Sequence, residues 1–228
     1  LLLFNFMIKN SLPCYGLHPE LYPFIGKLYL KAPLKVLFLG ESHYLPAAYN
    51  HKVGQEWYER STASYGFTKE ALAWLNTAAI IRHDVIESNY KNPAHSIYRN
   101  IGKVYGEVFA KGDYPQALEY IAFGNYFLRP AEVCGESIII NGWDEEVRSF
   151  QQLAALEKQL QPALIVFVSK KAYESFVRVA QAQGATALLS KAKSVPHPNS
   201  AWWNRAIAQY EGRTGKEELK KILHNFTP

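Results

Sequence analysis

Lys35-Val36-Leu37-Phe38-Leu39 runs straight into Gly40-Glu41-Ser42-His43-Tyr44, an apolar run that ends abruptly in a small polar cluster. Three further stretches repeat the pattern. Tyr120-Ile121-Ala122-Phe123-Gly124 leads to Asn125-Tyr126, Leu164-Ile165-Val166-Phe167-Val168 to Ser169-Lys170-Lys171, and Ala187-Leu188-Leu189 to Pro196-His197-Pro198-Asn199. Short apolar runs rich in β-branched and aromatic residues, separated by helical stretches, predict parallel strands buried on both faces. The fold class expected is therefore α/β: a three-layer α/β/α arrangement around a central, mainly parallel, four-stranded sheet. Parallel strands share one carboxyl rim, the place where open α/β sheets bind ligands. On that rim a carboxylate, an amide and a histidine should converge.

The helices expected between the strands run from Phe67 to Asp84 with Thr68 as N-cap, from Ser96 with Ile97, Ile101, Val104 and Val108 on one face, from Asp144 to about Leu160, and from Lys171 to Gln183. Ile138-Ile139-Ile140 reads as a short strand or a buried turn. Residues 1–33, rich in proline and aromatics, read as an irregular lead-in to a single domain spanning 1–228. Residues 45–66 form a long aromatic-rich loop, read equally as functional or as an excursion pinned by its aromatics.

Composition narrows the classes. The 228 residues are 48% hydrophobic and 14% aromatic, which argues against disorder. No apolar run is long enough to span a bilayer, and Leu1 to Ile8 lacks the basic flank and cleavage site of a signal peptide, with Met7 a candidate start. Cys14 and Cys134 suit neither a metal site nor a disulfide framework, which predicts a cytoplasmic protein without metal or other cofactor. The net charge of +5 permits a polyanionic partner without requiring one.

The polar clusters carry the chemistry. Gly40 is expected to let the chain turn off its strand, leaving backbone N–H groups free beside Glu41, Ser42 and His43. Asn125 offers an acceptor and donors in one plane, which suits a nucleobase edge; an asparagine capping its own turn is the plainer alternative. Pro196 and Pro198 stiffen the loop that aims His197, itself readable as a catalytic or a structural imidazole.

Taken in order, Gly40-Glu41-Ser42-His43-Tyr44, Asn125 and His197-Pro198-Asn199-Ser200 resemble the motifs of the uracil-DNA glycosylase superfamily. Tyr90-Lys91-Asn92-Pro93-Ala94 is similar to the family segment that supplies a base-stacking aromatic. The resemblance implies that the protein flips a uracil or related deaminated base out of DNA and hydrolyses its N-glycosidic bond, acting as a monomer. It implies His197 as donor to the departing base, Glu41 and His43 as groups that orient water, and a base pocket of Gly40, Ser42, Tyr44, Tyr90 and Asn125. Lys170, Lys171, Lys191, Lys193, Ser200 and Trp202 would grip DNA, with Trp202 as a wedge or, equally, as part of a core anchor with Trp203.

Two departures stand out. Ser42 occupies a position that is acidic or Asn in several branches, and a hydroxyl is no general base at neutral pH. Glu41 matches a branch that carries an iron–sulfur cluster on four cysteines, which two cysteines cannot supply. The rival readings are a nucleic-acid or nucleotide-binding protein with a glycosylase-like fold, and a hydrolase using Ser42 with His197.

Overall fold

A computed structural model describes residues 13–91 and 93–226. The expectations for Leu1–Ile8, Met7 and Asn92 lie outside the described residues. Five strands form one sheet: β1 (Phe24–Ile25), β2 (Val36–Gly40), β3 (Ala122–Asn125), β4 (Leu164–Phe167) and β5 (Ala192–Ser194), in the spatial order β1-β3-β2-β4-β5. β2 to β5 pair in parallel, and β1 adds antiparallel to the β3 edge, Phe24 facing Phe123.

The period of two along each strand sorts side chains between two apolar clusters. Leu37, Leu39, Ile165 and Phe167 pack with Leu153, Leu156, Phe176 and Val179. Val36, Phe38, Phe123, Leu164 and Val166 pack with Ile101, Val104, Leu219 and Leu223. These partners lie on α2 (Ser96–Phe109), α4 (Trp143–Leu160), α5 (Lys170–Ala182) and α7 (Gly215–Asn225), numbered together with the shorter helices α1 (Lys69–Leu75), α3 (Tyr114–Leu118) and α6 (Thr186–Lys191).

Several local expectations need correction. The sheet has five strands rather than four, because Phe24-Ile25, between Pro23 and Gly26, is too short to show a periodicity in sequence. Ala187-Leu188-Leu189 lies in α6, and the strand before the histidine loop is the next segment, β5. Leu and Ala are strong helix formers, while an edge strand of Ala192, Lys193 and Ser194 carries no apolar signature.

The helix expected over Phe67–Asp84 is broken. Thr68 caps α1 as foreseen, but Asn76 leaves helical geometry and accepts the Ala79 amide, and a π-helical stretch follows over Ile80–Glu87. Ser96 sits inside the first turn of α2, with His95 in the cap position. Ile138–Ile140 forms no strand; Ile138 is buried and Ile139 exposed.

The long loop 45–66 is pinned by its aromatics. Trp57 is fully buried, stacked on His18 with ring centroids 3.9 Å apart, and Tyr65 and Phe67 pack beside it. His18 bonds Thr62 Oγ1 and the Trp57 carbonyl, each at 2.7 Å. Among the described residues no helix is long and apolar enough to cross a membrane.

Candidate functional site

The carboxyl ends of β2, β3, β4 and β5 open onto one cavity of about 1720 Å³. Gly40, Glu41, Ser42, His43, Tyr44, Asn125, Lys170, Lys171, Lys193, His197, Ser200 and Trp202 all line it. The rim convergence expected from the apolar runs is therefore present. Among the described residues no group of three His, Cys, Asp or Glu side chains is placed to hold a metal ion.

At the centre, β2 and β3 pair Gly40 with Asn125. A Cβ on residue 40 would lie 2.3 Å from Asn125 Oδ1 and 3.4 Å from the tip of the Phe123 ring. Gly40 is needed for this close approach and not for a sharp turn, since its φ is not positive. Phe123 and Asn125 alternate onto one face of β3. An aromatic edge and a carboxamide thus sit together over a bare stretch of backbone.

Glu41 is held from three directions. Its Oε1 accepts Ser137 Oγ at 2.6 Å and the Ile138 amide at 3.0 Å, and its Oε2 accepts Ser169 Oγ at 2.8 Å. Ser169 also caps α5, accepting the Ala172 amide at 3.3 Å. A polar residue directly before Lys-Lys-Ala is a readable N-cap, but its bond to a residue 128 positions away is not legible locally.

The segment that grips Glu41 is fixed in turn by Arg129, which is fully buried. Its guanidinium donates to Glu145 Oε1 at 2.7 Å, to Glu132 Oε1 at 2.5 Å and to the Ile139 carbonyl at 2.7 Å. Glu145 further accepts the Asn141 amide and the Tyr58 hydroxyl. Lys171 reinforces the same segment through the Ile138 carbonyl, 2.8 Å away.

His197 is positioned by its own turn. Its Nδ1 accepts the Asn199 amide at 3.1 Å, so in the neutral ring the proton resides on Nε2, which remains a donor. Burial lowers the His197 pKa, opposed by the charge of Glu41. The turn is tied to α2: Asn100 Nδ2 donates to the Pro198 carbonyl at 2.8 Å, and Ser96 Oγ donates to Asn199 Oδ1. Ser96 and Asn100 are positioning residues that the sequence alone did not identify, because the contact joins segments about one hundred residues apart.

Other expected residues fall differently. His43 is buried, its pKa pushed down to about 3 by desolvation against a bond to the Leu75 backbone, so it is a neutral wall residue and not an acid–base group near pH 7. Tyr44 lines the cavity, its phenol pKa raised by burial and by Glu41. Among the described residues the buried Ser42 hydroxyl has no hydrogen-bond partner, so it is not bonded to His197 as a nucleophile to its base.

Tyr90 does not line the cavity. It adopts a positive φ of 54°, bonds the Pro93 carbonyl, and packs edge-on against Tyr114. An aromatic ring that lines the cavity beside Gly40 and Asn125 is instead Phe123, on the strand itself, where the sequence reading counted it only as core.

The expected DNA-gripping lysines are largely engaged. Lys170 lies 3.6 Å from Glu174, and Lys171 is bound as described. Lys191 is paired with Glu157 and lies outside the cavity lining. Lys193 bonds the Ser190 carbonyl and sits over the Phe226 ring. Trp202 is exposed at the cavity mouth while Trp203 is buried in the core, so the two tryptophans divide the two roles weighed for them. The cavity is also lined by the carboxylates of Glu41, Glu70, Asp84, Glu174 and Glu218, which outnumber the ammonium groups of Lys170, Lys171 and Lys193.

Comparison with protein-family models, with characterised proteins and with solved structures finds no match to this chain.

Proposed function

We propose that the protein is a base-excising N-glycosylase that takes a uracil or related deaminated base, extruded from DNA, into the rim cavity and hydrolyses its glycosidic bond. One observation carries this reading. A carboxamide over bare backbone at Asn125 and Gly40, an imidazole with a free Nε2–H at His197, and a rigidly held carboxylate at Glu41 line the same cavity.

Extruding a base costs a few kcal/mol, least where pairing is already weak. In this reading Asn125 pairs with the O4 and N3–H edge of uracil, and cytosine is rejected because its exocyclic amine donates where O4 accepts and its N3 accepts where N3–H donates. Phe123, and not Tyr90, supplies the aromatic neighbour of the base. Tyr44 crowds C5 and disfavours the methyl group of thymine.

As the bond breaks, negative charge develops on the base at O2. The neutral imidazole of His197 donates Nε2–H to that oxygen, an interaction that strengthens only in the transition state. Glu41 faces the sugar, where its charge offsets the oxocarbenium character and orients water onto C1′. Its three donors fix the carboxylate before substrate arrives, so little reorganisation is needed during reaction.

The test is release of uracil from a labelled single-uracil oligonucleotide, read as an alkali-sensitive abasic site. The wild-type protein cleaves after treatment and His197→Ala does not. An intact oligonucleotide after prolonged incubation at high enzyme refutes the proposal.

A second reading, a binding protein that recognises the base without excising it, is favoured by Ser42. Its unpartnered hydroxyl stands where a general base would be expected. Salt-dependent oligonucleotide binding without base release selects it.

A further inference from the structure

The cavity is poor in free cations, yet a nucleic-acid ligand needs its phosphates held. A surface beside the cavity has the missing chemistry. Arg99 and Lys103 lie one turn apart on α2 and so share a face. The Arg99 guanidinium sits 4.9 Å over the Tyr90 ring, Tyr90 meets Tyr114 edge-on at 5.4 Å, and Lys103 Nζ lies 5.9 Å over Tyr114. Cation, ring, ring and cation form one continuous ladder.

Among the described residues neither Arg99 nor Lys103 has a carboxylate partner within ion-pair distance, whereas Lys216 and Lys220 are both paired with Glu107 on the same helix. The Arg99 Nε is buried and has no acceptor among the described residues. Lys91, exposed and next to Tyr90 in sequence, adds a third cation. Two acidic groups border the ladder: Glu107, one turn beyond Lys103 on α2 and paired with Lys216 and Lys220, and Asp113, whose Oδ1 accepts the Gln116 amide as the cap of α3.

The ladder adjoins the cavity through the chain itself. Ala94 and His95 lie four and five residues after Tyr90 in sequence, and together with Ile97 and Tyr98 they line the cavity wall. We propose that this ladder of Tyr90, Arg99, Tyr114 and Lys103 is the docking surface for a single-stranded nucleic acid, holding the phosphates that flank the nucleotide delivered into the cavity. A single strand is specified because cations seated on aromatic rings hold phosphates while the rings and the guanidinium plane stay within reach of splayed bases. The inference rests on the nucleic-acid reading of the cavity and replaces Lys170, Lys171 and Lys191 as the grip.

The experiment measures fluorescence anisotropy of a labelled oligothymidine, which contains no uracil and so reports binding apart from excision. Wild-type protein binds the single strand more tightly than a duplex of the same length, and affinity falls with salt. Arg99→Glu/Lys103→Glu weakens binding about tenfold or more, and the log–log salt slope becomes shallower by about 1.4, the amount two phosphate contacts contribute on a single strand. Arg99→Gln/Lys103→Gln, a gentler change, shows the same slope loss with a smaller drop in affinity. Lys31→Glu/Lys158→Glu, which makes the same change in net charge elsewhere, alters both much less.

An unchanged affinity and slope in the ladder variants, tighter binding of duplex, or no binding of the single strand by wild type overturns the proposal. Uracil release by the wild-type protein is followed separately: release with binding that the ladder variants do not weaken overturns the ladder alone, and ladder-dependent binding without release overturns the glycosylase reading alone. Failure of the ladder is thereby separated from failure of the glycosylase reading.

Discussion

The carboxamide of Asn125 occupies the space that a side chain at residue 40 would need: a Cβ there would stand 2.3 Å from Asn125 Oδ1. The two residues face each other across neighbouring parallel strands, at the last register position of that pair. One residue's absence of a side chain therefore sets where the other's functional group lies.

Gly40→Ala separates this effect from stability. The atom it meets is the tip of a side chain able to rotate away, so the fold survives with a loss of about 1 kcal/mol or less. The displaced carboxamide no longer meets the base, and misplacement on the scale of 1 Å costs about a hundredfold. Uracil release by Gly40→Ala should fall to near the level of Asn125→Ala, while thermal melting barely moves. A wild-type rate would mean that the pairing does not position the amide for recognition.

Glu41→Gln tests whether the carboxylate acts by charge. The amide keeps one acceptor but turns an N–H₂ toward a hydroxyl or backbone donor in the present network. Excision should drop about a hundredfold or more with little change in oligonucleotide affinity. An unchanged rate would assign Glu41 to packing alone.

Arg129 is expected to hold the site from a distance. Replacing it by Met leaves Glu145 and Glu132 without their buried cation, and removing one member of such a pair costs about 3–5 kcal/mol. Chemical denaturation of Arg129→Met should show that loss. Hydrogen exchange should also quicken at Ile138, whose amide bonds Glu41. Protection equal to wild type at that amide would detach the ion network from the site.

His43 makes stability depend on acid. Its pKa is about 3 in the fold against 6.5 in the unfolded chain, so above pH 6.5 both states are neutral and nothing is gained or lost. Between pH 6.5 and about 3 the unfolded chain takes up a proton that the native ring refuses, and stability falls with pH. From pH 7 to pH 4.5 the cost is about 2–3 kcal/mol. Urea titrations of wild type and His43→Gln should diverge by that amount, with the variant less acid-sensitive. Parallel profiles would show that His43 is protonated normally.

How far the residues announce all this depends on the range of the interaction. Strands β2, β3 and β4 were legible because five apolar residues in a row, buried on both faces, leave a dense local signal. β1 and β5 were not, since one is two residues long and the other is an edge segment with Lys193 at its centre. Rim placement of Gly40 and Asn125 followed from strand polarity, whereas the run read as the strand before His197 is helix α6, and the segment that leads to the histidine loop is β5.

What holds those residues did not. Glu41 finds Ser169, His197 leans on a turn tied to α2, and Arg129 anchors a segment of three isoleucines, all through contacts that neither spacing nor propensity encodes. Tyr90 shows the converse error: a local motif match placed an aromatic in the pocket, while two consecutive left-handed residues, Asn89 and Tyr90, accompany a ring that lies outside the cavity lining, half-buried against Tyr114.

The most direct test of the central claim is a titration of isotope-labelled protein with free uracil, following the Asn125 side-chain amide and the His197 ring by NMR. The account predicts that both signals shift together with one dissociation constant, and that cytosine moves neither at the same concentration. Shifts confined to other residues, or equal responses to the two bases, would contradict it.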